Sequence, residues 1–292
     1  MNKAWHAIAV IAVLLGSPVL PAADGGPEVE PAAAGCVACH REPGLLPERG
    51  THRAAGSASA TCQDCHGSGA EHPRAGAASI TSFGARATTP VTVQNKSCVA
   101  CHRSDLSGWH GGAHDSADVG CASCHRVHVG QDPMSNPRSQ TDTCVACHAR
   151  ERLDIQKPYG HPVAEGLLGC NDCHAPHDSA VSGSLRRPTV NETCFECHAE
   201  KRGPFLFEHP PAAEDCGLCH APHGSIHPAM LTRRGPLLCQ QCHSQAGHPS
   251  ITSTPAGLPG GTPSPLLLGG NCLNCHSQVH GSNHPSGVTL MR

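Results

Sequence analysis

The sequence predicts a multihaem-type chain that is mostly loop with short α-helices and no sheet, its core supplied by bound groups instead of side chains. Three observations carry this reading. Only two Trp, one Tyr and four Phe occur in 292 residues, so the aromatic volume of an ordinary core is missing. Gly 32 and Pro 26 punctuate every linker, which keeps regular elements short. All twenty cysteines fall in ten copies of Cys-x-x-Cys-His, the attachment spacing of haem c.

That motif is the first element to justify. Two thiols three positions apart on one turn can each add to a vinyl group on the same porphyrin edge, while the adjacent histidine falls beneath the iron. The first thiols are Cys36, Cys62, Cys98, Cys121, Cys144, Cys170, Cys194, Cys216, Cys239 and Cys272. The second are Cys39, Cys65, Cys101, Cys124, Cys147, Cys173, Cys197, Cys219, Cys242 and Cys275. The proximal ligands are then His40, His66, His102, His125, His148, His174, His198, His220, His243 and His276, for ten covalently bound haem c groups. A zinc site pairs Cys-x-x-Cys units without requiring the fifth residue, and a disulfide framework has no reason to place histidine there ten times in ten. Successive first cysteines are 26, 36, 23, 23, 26, 24, 22, 23 and 33 residues apart, so little polypeptide per cofactor that the haems must stack as an elongated core. Covalent attachment and iron ligation then offset the chain entropy that buried side chains normally offset, and folding accompanies haem loading.

The N-terminus places the chain in the cell. Lys3 precedes an apolar run from Ala7 to Leu15, followed by Pro18, Pro21 and Ala22–Ala23, the pattern of a secretory signal over residues 1–23. The run is too short to cross about 30 Å of hydrocarbon. Residues 24–292 are therefore expected in the periplasm or beyond, where haem c is attached. The formal net charge of −3 becomes more negative once haem propionates are counted, and no basic run is present, which argues against a nucleic-acid partner.

The chain repeats in pairs of motifs. Five two-haem modules, at about 36–97, 98–143, 144–193, 194–238 and 239–292, each hold a first motif, a linker ending in histidine, a second motif, and another histidine soon after. This bracketing offers a sixth iron ligand for every haem: His52 and His72, His114 and His128, His161 and His177, His209 and His223, His248 and His280. His114 is taken over His110 because its seven-residue offset matches that of His209 to Cys216. His280 is taken over His284 because HGS at 280 repeats HGS at 223. His6, His110, His227 and His284 are spares. Met134, Met230 and Met291 recur at no module position, so bis-histidine iron and low potentials are expected throughout. The histidine three residues beyond a proximal one, as in His174 and His177, cannot reach the far face of its own haem and must serve a neighbour.

Local structure is legible at few points. Thr193 with Glu196 reads as a capping box opening a helix through Cys194 and His198. The stretch from Pro249 to Gly270 reads as an insertion inside the last module, a surface loop or a docking segment through Leu266, Leu267 and Leu268.

At this level the sequence resembles the MtrA/DmsE family of decahaem periplasmic cytochromes, most closely in TCFECHAEKRGPFLFEHPPAAEDCGLCHAPHGS from Thr193, LCQQCHSQAGHPS from Leu238 and NCLNCHSQVHGSNHPSG from Asn271. The resemblance implies an electron conduit held inside an outer-membrane β-barrel porin, linking periplasmic and extracellular redox proteins, other multihaem cytochromes among them. On that reading the apolar residues Gly203 to Phe207 pack against a haem or touch the porin. A soluble periplasmic shuttle needs the same haems and no porin. A multihaem reductase needs an iron with an open position, often marked by Cys-x-x-Cys-Lys, and the chain has no such motif.

Overall fold

Proline starts the principal helices and a first-motif cysteine lies in the last turn of each. Val91–Val99 follows Pro90, Pro137–Val145 begins on proline, Val190–Phe195 follows Pro188 and Thr189, and Gly235–Cys239 carries Pro236 in its first turn. The fixed φ of proline suits a first turn, where its missing N–H is not needed. Cys98, Cys144, Cys194 and Cys239 close these helices. The second motifs mostly form single 3-10 turns, Cys121–Ser123, Cys170–Asp172, Cys216–Leu218 and Cys272–Asn274, with a five-residue α-helix over Cys62–His66. A computed structural model describes residues 35–40, 52, 61–104, 106, 108–177, 181–243 and 271–291. The signal segment, His248 and the 249–270 insertion with Leu266, Leu267 and Leu268 lie outside the described residues.

Among the described residues there is no sheet, only isolated bridges, and the chain is short helices and loop. Trp109, at 7 % exposure, is the one buried hydrophobic residue there, and no side chain is fully buried. Glycines apart, the other buried residues are polar: Gln94, Asn95, Gln140, Thr141, Asn191, Thr193, Ser225 and Ser282. A chain whose best-buried side chains are amides and hydroxyls is organised by hydrogen bonds around something other than its own apolar residues.

The amides clamp the two motifs of a module together. Asn95, just before Cys98, accepts from the Cys121 N–H through Oδ1 at 2.8 Å and donates to the Val119 carbonyl at 3.2 Å. Gln140, before Cys144, accepts from the Asn171 N–H at 3.1 Å. Asn191, before Cys194, accepts from the Cys216 N–H at 2.6 Å and donates to the Ala213 carbonyl at 3.0 Å. In the last module Gly235 occupies the helix position, and a Cβ there would meet Asn271 Oδ1 at 1.9 Å, so the amide comes from the second motif instead.

Neighbouring modules join through short antiparallel contacts. Tyr159 and Ser225 exchange backbone hydrogen bonds of 3.1 and 2.7 Å, and Phe207 and Ser282 exchange two of 2.9 Å. Each serine follows a glycine at positive φ, Gly224 at 138° and Gly281 at 137°. The residues Gly203 to Phe207 take part in the second joint: Leu206 N–H donates to Asn283 Oδ1 at 2.8 Å, and Phe205 lies where a Cβ on Gly281 would fall. These residues dock the last module.

The helix cap sits one turn earlier than the capping box that the sequence suggests. Thr189 caps the helix Val190–Phe195, its hydroxyl accepting from the Glu192 N–H at 3.1 Å. Thr193 lies inside that helix with its hydroxyl donating to the Thr189 carbonyl at 3.0 Å, and Glu196 pairs with Arg187. Both stretches read Thr-x-x-Glu; the earlier one wins because the helix must already be formed at Asn191 for its amide to reach Cys216.

Candidate haem-binding sites

Each motif is closed by one backbone bond. His40, His102, His125, His148, His174, His198, His220, His243 and His276 each donate their N–H to the carbonyl of the first cysteine of their own motif at 2.9–3.0 Å. That turn sets residues three and four apart on one face, so the two thiols and the imidazole of a motif point the same way.

The motif histidines then meet the histidines outside the motifs, one to one. His40 faces His72, His52 faces His102, His66 faces His128, His114 faces His148, and His125 faces His177. His161 faces His198, His174 faces His223, His209 faces His243, and His220 faces His280. The nine ring-centre separations run from 5.8 Å to 6.3 Å. Two metal–nitrogen bonds of about 2 Å, with about 1.1 Å from nitrogen to ring centre on either side, give about 6 Å. Among the described residues no cluster of three or more metal-ligating side chains occurs, and the paired imidazoles suit a group that brings its other donors with it.

Second contacts set the tautomers. Nδ1 of His66, His174, His220 and His276 donates to the carbonyls of Thr81, Gly183, Ala229 and Thr289 at 2.7–2.8 Å. On the opposite side, Nδ1 of His72, His161 and His209 donates to Gly76, Pro222 and Val279 at 2.9–3.0 Å, and that of His114 to Pro176 at 3.3 Å. A carbonyl cannot donate, so the proton is on Nδ1 and Nε2 presents a lone pair. Burial lowers the pKa of His223 and of His280, favouring the neutral ring that a metal requires.

The attachment thiols form a continuous series. Within every module the two first thiols are electrostatic neighbours: Cys36 beside Cys62, Cys98 beside Cys121, Cys144 beside Cys170, Cys194 beside Cys216, and Cys239 beside Cys272. Between modules the second thiols of the second motifs take over. Burial raises the pKa of Cys65, Cys124, Cys173 and Cys219, with thiols of the following module, Cys98, Cys147, Cys197 and Cys242, adding to it.

The spare histidines have other partners. His110 is exposed, 3.9 Å from Asp115. His227 donates its N–H to the Ser225 hydroxyl, and His284 Nδ1 accepts from the Ser286 N–H. Sequence reasoning passed over the amide clamp and Asp132, whose carboxylate takes the Nδ1 proton of His125 at 2.6 Å. The clamp had a visible signal, an Asn or Gln three or four residues before the first cysteine of three successive modules. Asp132 had none.

Paired attachment turns, paired imidazoles and fixed tautomers define a multihaem c-type cytochrome, an electron-transfer protein. Residues 62–139 match the NrfB-like c-type cytochrome family, and residues 161–203 and 209–248 match the doubled CXXCH motif. The chain is 43% identical over 269 residues, 88% of its length and 80% of the relative's, to multiheme cytochrome MtrA of Shewanella baltica strain OS185. It is 29% identical over 144 residues, 46% of its length and 73% of the relative's, to cytochrome c-type protein NrfB of Escherichia coli O6:H1. The chain belongs to the MtrA family of multihaem cytochromes. No helix among the described residues is long and apolar enough to cross a membrane.

Proposed function

We propose that this protein carries electrons along ten bis-histidine c-type haems as a conduit through the outer membrane, held inside a β-barrel porin between periplasmic and extracellular redox partners. The observation that supports this reading most directly is the set of nine imidazole pairs, each joining a motif histidine to one outside the motifs. His276 is the one motif histidine outside these nine pairs, and its expected counterpart His248 lies outside the described residues. When bound, haem supplies a one-electron Fe(III)/Fe(II) couple. The paired imidazoles would hold the iron from both sides, and in eight of the nine described pairs one ring is oriented by an Nδ1 hydrogen bond.

The pairing is staggered. In the second to fourth modules the histidine before the second motif faces the first-motif histidine of the next module, and the one after it faces the second-motif histidine of the module before. Only His40 with His72, among the described pairs, stays within a module. Every internal joint is thus crossed by ligand pairs, which suits a rigid relay. The porin and the outer-membrane location rest on family likeness: a chain whose described residues are helix-poor and include no apolar span fits the polar interior of a barrel.

Intact mass of the mature protein tests the first part, with ten haems expected. Electron paramagnetic resonance of the oxidised protein should show low-spin iron only; a water-bound high-spin centre defeats the closed-relay reading. Solubilised native membranes test the second part, with a β-barrel protein expected to co-purify. A protein recovered alone in the soluble periplasmic fraction points to the shuttle instead.

A further inference from the structure

The five second-motif histidines offer a natural series, because each gives its Nδ1 proton to a nearby acceptor. Four acceptors are backbone carbonyls, on Thr81, Gly183, Ala229 and Thr289. The fifth is a carboxylate: Asp132 Oδ2 lies 2.6 Å from His125 Nδ1. Its other oxygen accepts from the Met134 N–H at 3.1 Å, which holds the carboxylate in place, while the Ser135 hydroxyl donates to the Asp132 backbone carbonyl at 2.6 Å. On the far side, His177 meets the edge of buried Trp109 at 6.0 Å, which limits water there.

We infer that Asp132 tunes the haem attached at Cys121 and Cys124 to the lowest reduction potential of the five second-motif sites. The inference rests on the bis-histidine reading of His125 and His177. A charged acceptor draws the Nδ1 proton more strongly than a carbonyl does and makes the ring a better electron donor through Nε2. Its negative charge near the iron also favours the ferric state over the ferrous. The step concerned is one electron entering iron; the proton stays on Nδ1 and no bond is broken. The site is the fourth along the chain, inside the series and not at either end of it.

The test compares reduction curves of the fully loaded wild type, Asp132→Asn, Asp132→Glu and Ser135→Ala, followed electrochemically by haem absorbance. In Asp132→Asn one tenth of the amplitude should move upward, by at least a tenfold change in the one-electron equilibrium, about 59 mV. One low-spin ferric signal should change its g values with it. Asp132→Glu, retaining a carboxylate, should recover part of the shift, and Ser135→Ala, which disturbs the same turn, should match wild type. An Asp132→Asn curve superimposed on wild type overturns the inference, as does an equal shift in Ser135→Ala. If Asp132→Asn matures with nine haems, the missing tenth must not come from the four highest-potential haems of the wild-type curve; its loss from among those four is equally fatal. Ten low-spin haems with no shift would leave the conduit reading intact and sink only the role of Asp132.

Discussion

The second motif of module two and those of modules three and four perform the same task with different chemistry. In modules three and four the chain returns alongside its own motif: Ala175 N–H donates to Ser184 and Arg186 N–H to Cys173, just as Ala221 donates to Met230 and Thr232 to Cys219. That return presents the carbonyls of Gly183 and Ala229, both in left-handed turns, to His174 and His220. In module two the next helix begins at Pro137, sooner after its motif than Pro188 or Pro236 does after theirs, and no such return is seen. A side chain reaches across instead, from Asp132. Orientation of the ring is therefore common to all three sites, while the charge behind it is not. The lesson is that a repeat can preserve geometry and still vary electrostatics at a single residue.

The largest expected effect comes from changing the ligand opposite the motif histidine in both kinds of site. Replacing His223 or His177 by Met should leave ten haems attached and raise one haem's potential by on the order of 0.1–0.3 V, well within the roughly 0.8 V that axial ligands span. Spectroelectrochemistry reads this, and a wild-type curve removes that residue from the ligand set. If Asp132 acts as inferred, the His177 variant starts from the lower value.

Next come the joints that module four shares with its neighbours. Gly224→Ala should destabilise the loaded protein by about 2–4 kcal/mol, since its positive φ is strained for alanine and the new Cβ would meet the Asp154 carbonyl at 2.1 Å. Gly281→Ala should cost less, because there the obstacle is the side chain of Phe205, which can shift. Guanidinium unfolding followed by haem absorbance should rank them so; the reverse order would mean that backbone contact does not set these joints.

The amide clamp should be worth about the same in modules two and four. Asn95→Leu or Asn191→Leu leaves the N–H of Cys121 or Cys216 buried without its acceptor, a loss of about 1–3 kcal/mol. A neutral result in the same unfolding measurement would show that water replaces the amide. The smallest effect is expected from Thr189→Ala, which removes a helix cap and should cost about 1 kcal/mol. Thr193→Val should distinguish the two Thr-x-x-Glu stretches, since the cap at Thr189 survives it.

Legibility followed the range of the interaction. A turn of five residues was readable from its spacing, and so was the absence of a side-chain core, from seven aromatics and abundant Gly and Pro. The offset of His209 to Cys216 and the repeated HGS singled out His114 and His280, and the structure sets these two opposite His148 and His220. The capping box was misplaced because two identical patterns stood four residues apart, and only burial of Asn191 and Thr193 separates them. Asp132 was silent in the sequence because one aspartate in a polar turn carries no periodicity.

The sequence by itself determined where the Cys-x-x-Cys-His turns form and how many imidazoles stand ready, because closure of a single turn is a local matter. Tertiary structure decided which imidazole faces which. The orienting bonds of His114, His161 and His209 join residues 62, 61 and 70 apart, and such partners are chosen by how modules dock, through Tyr159 with Ser225 and Phe207 with Ser282. Docking depends on the summed fit of many surfaces, which no short pattern encodes.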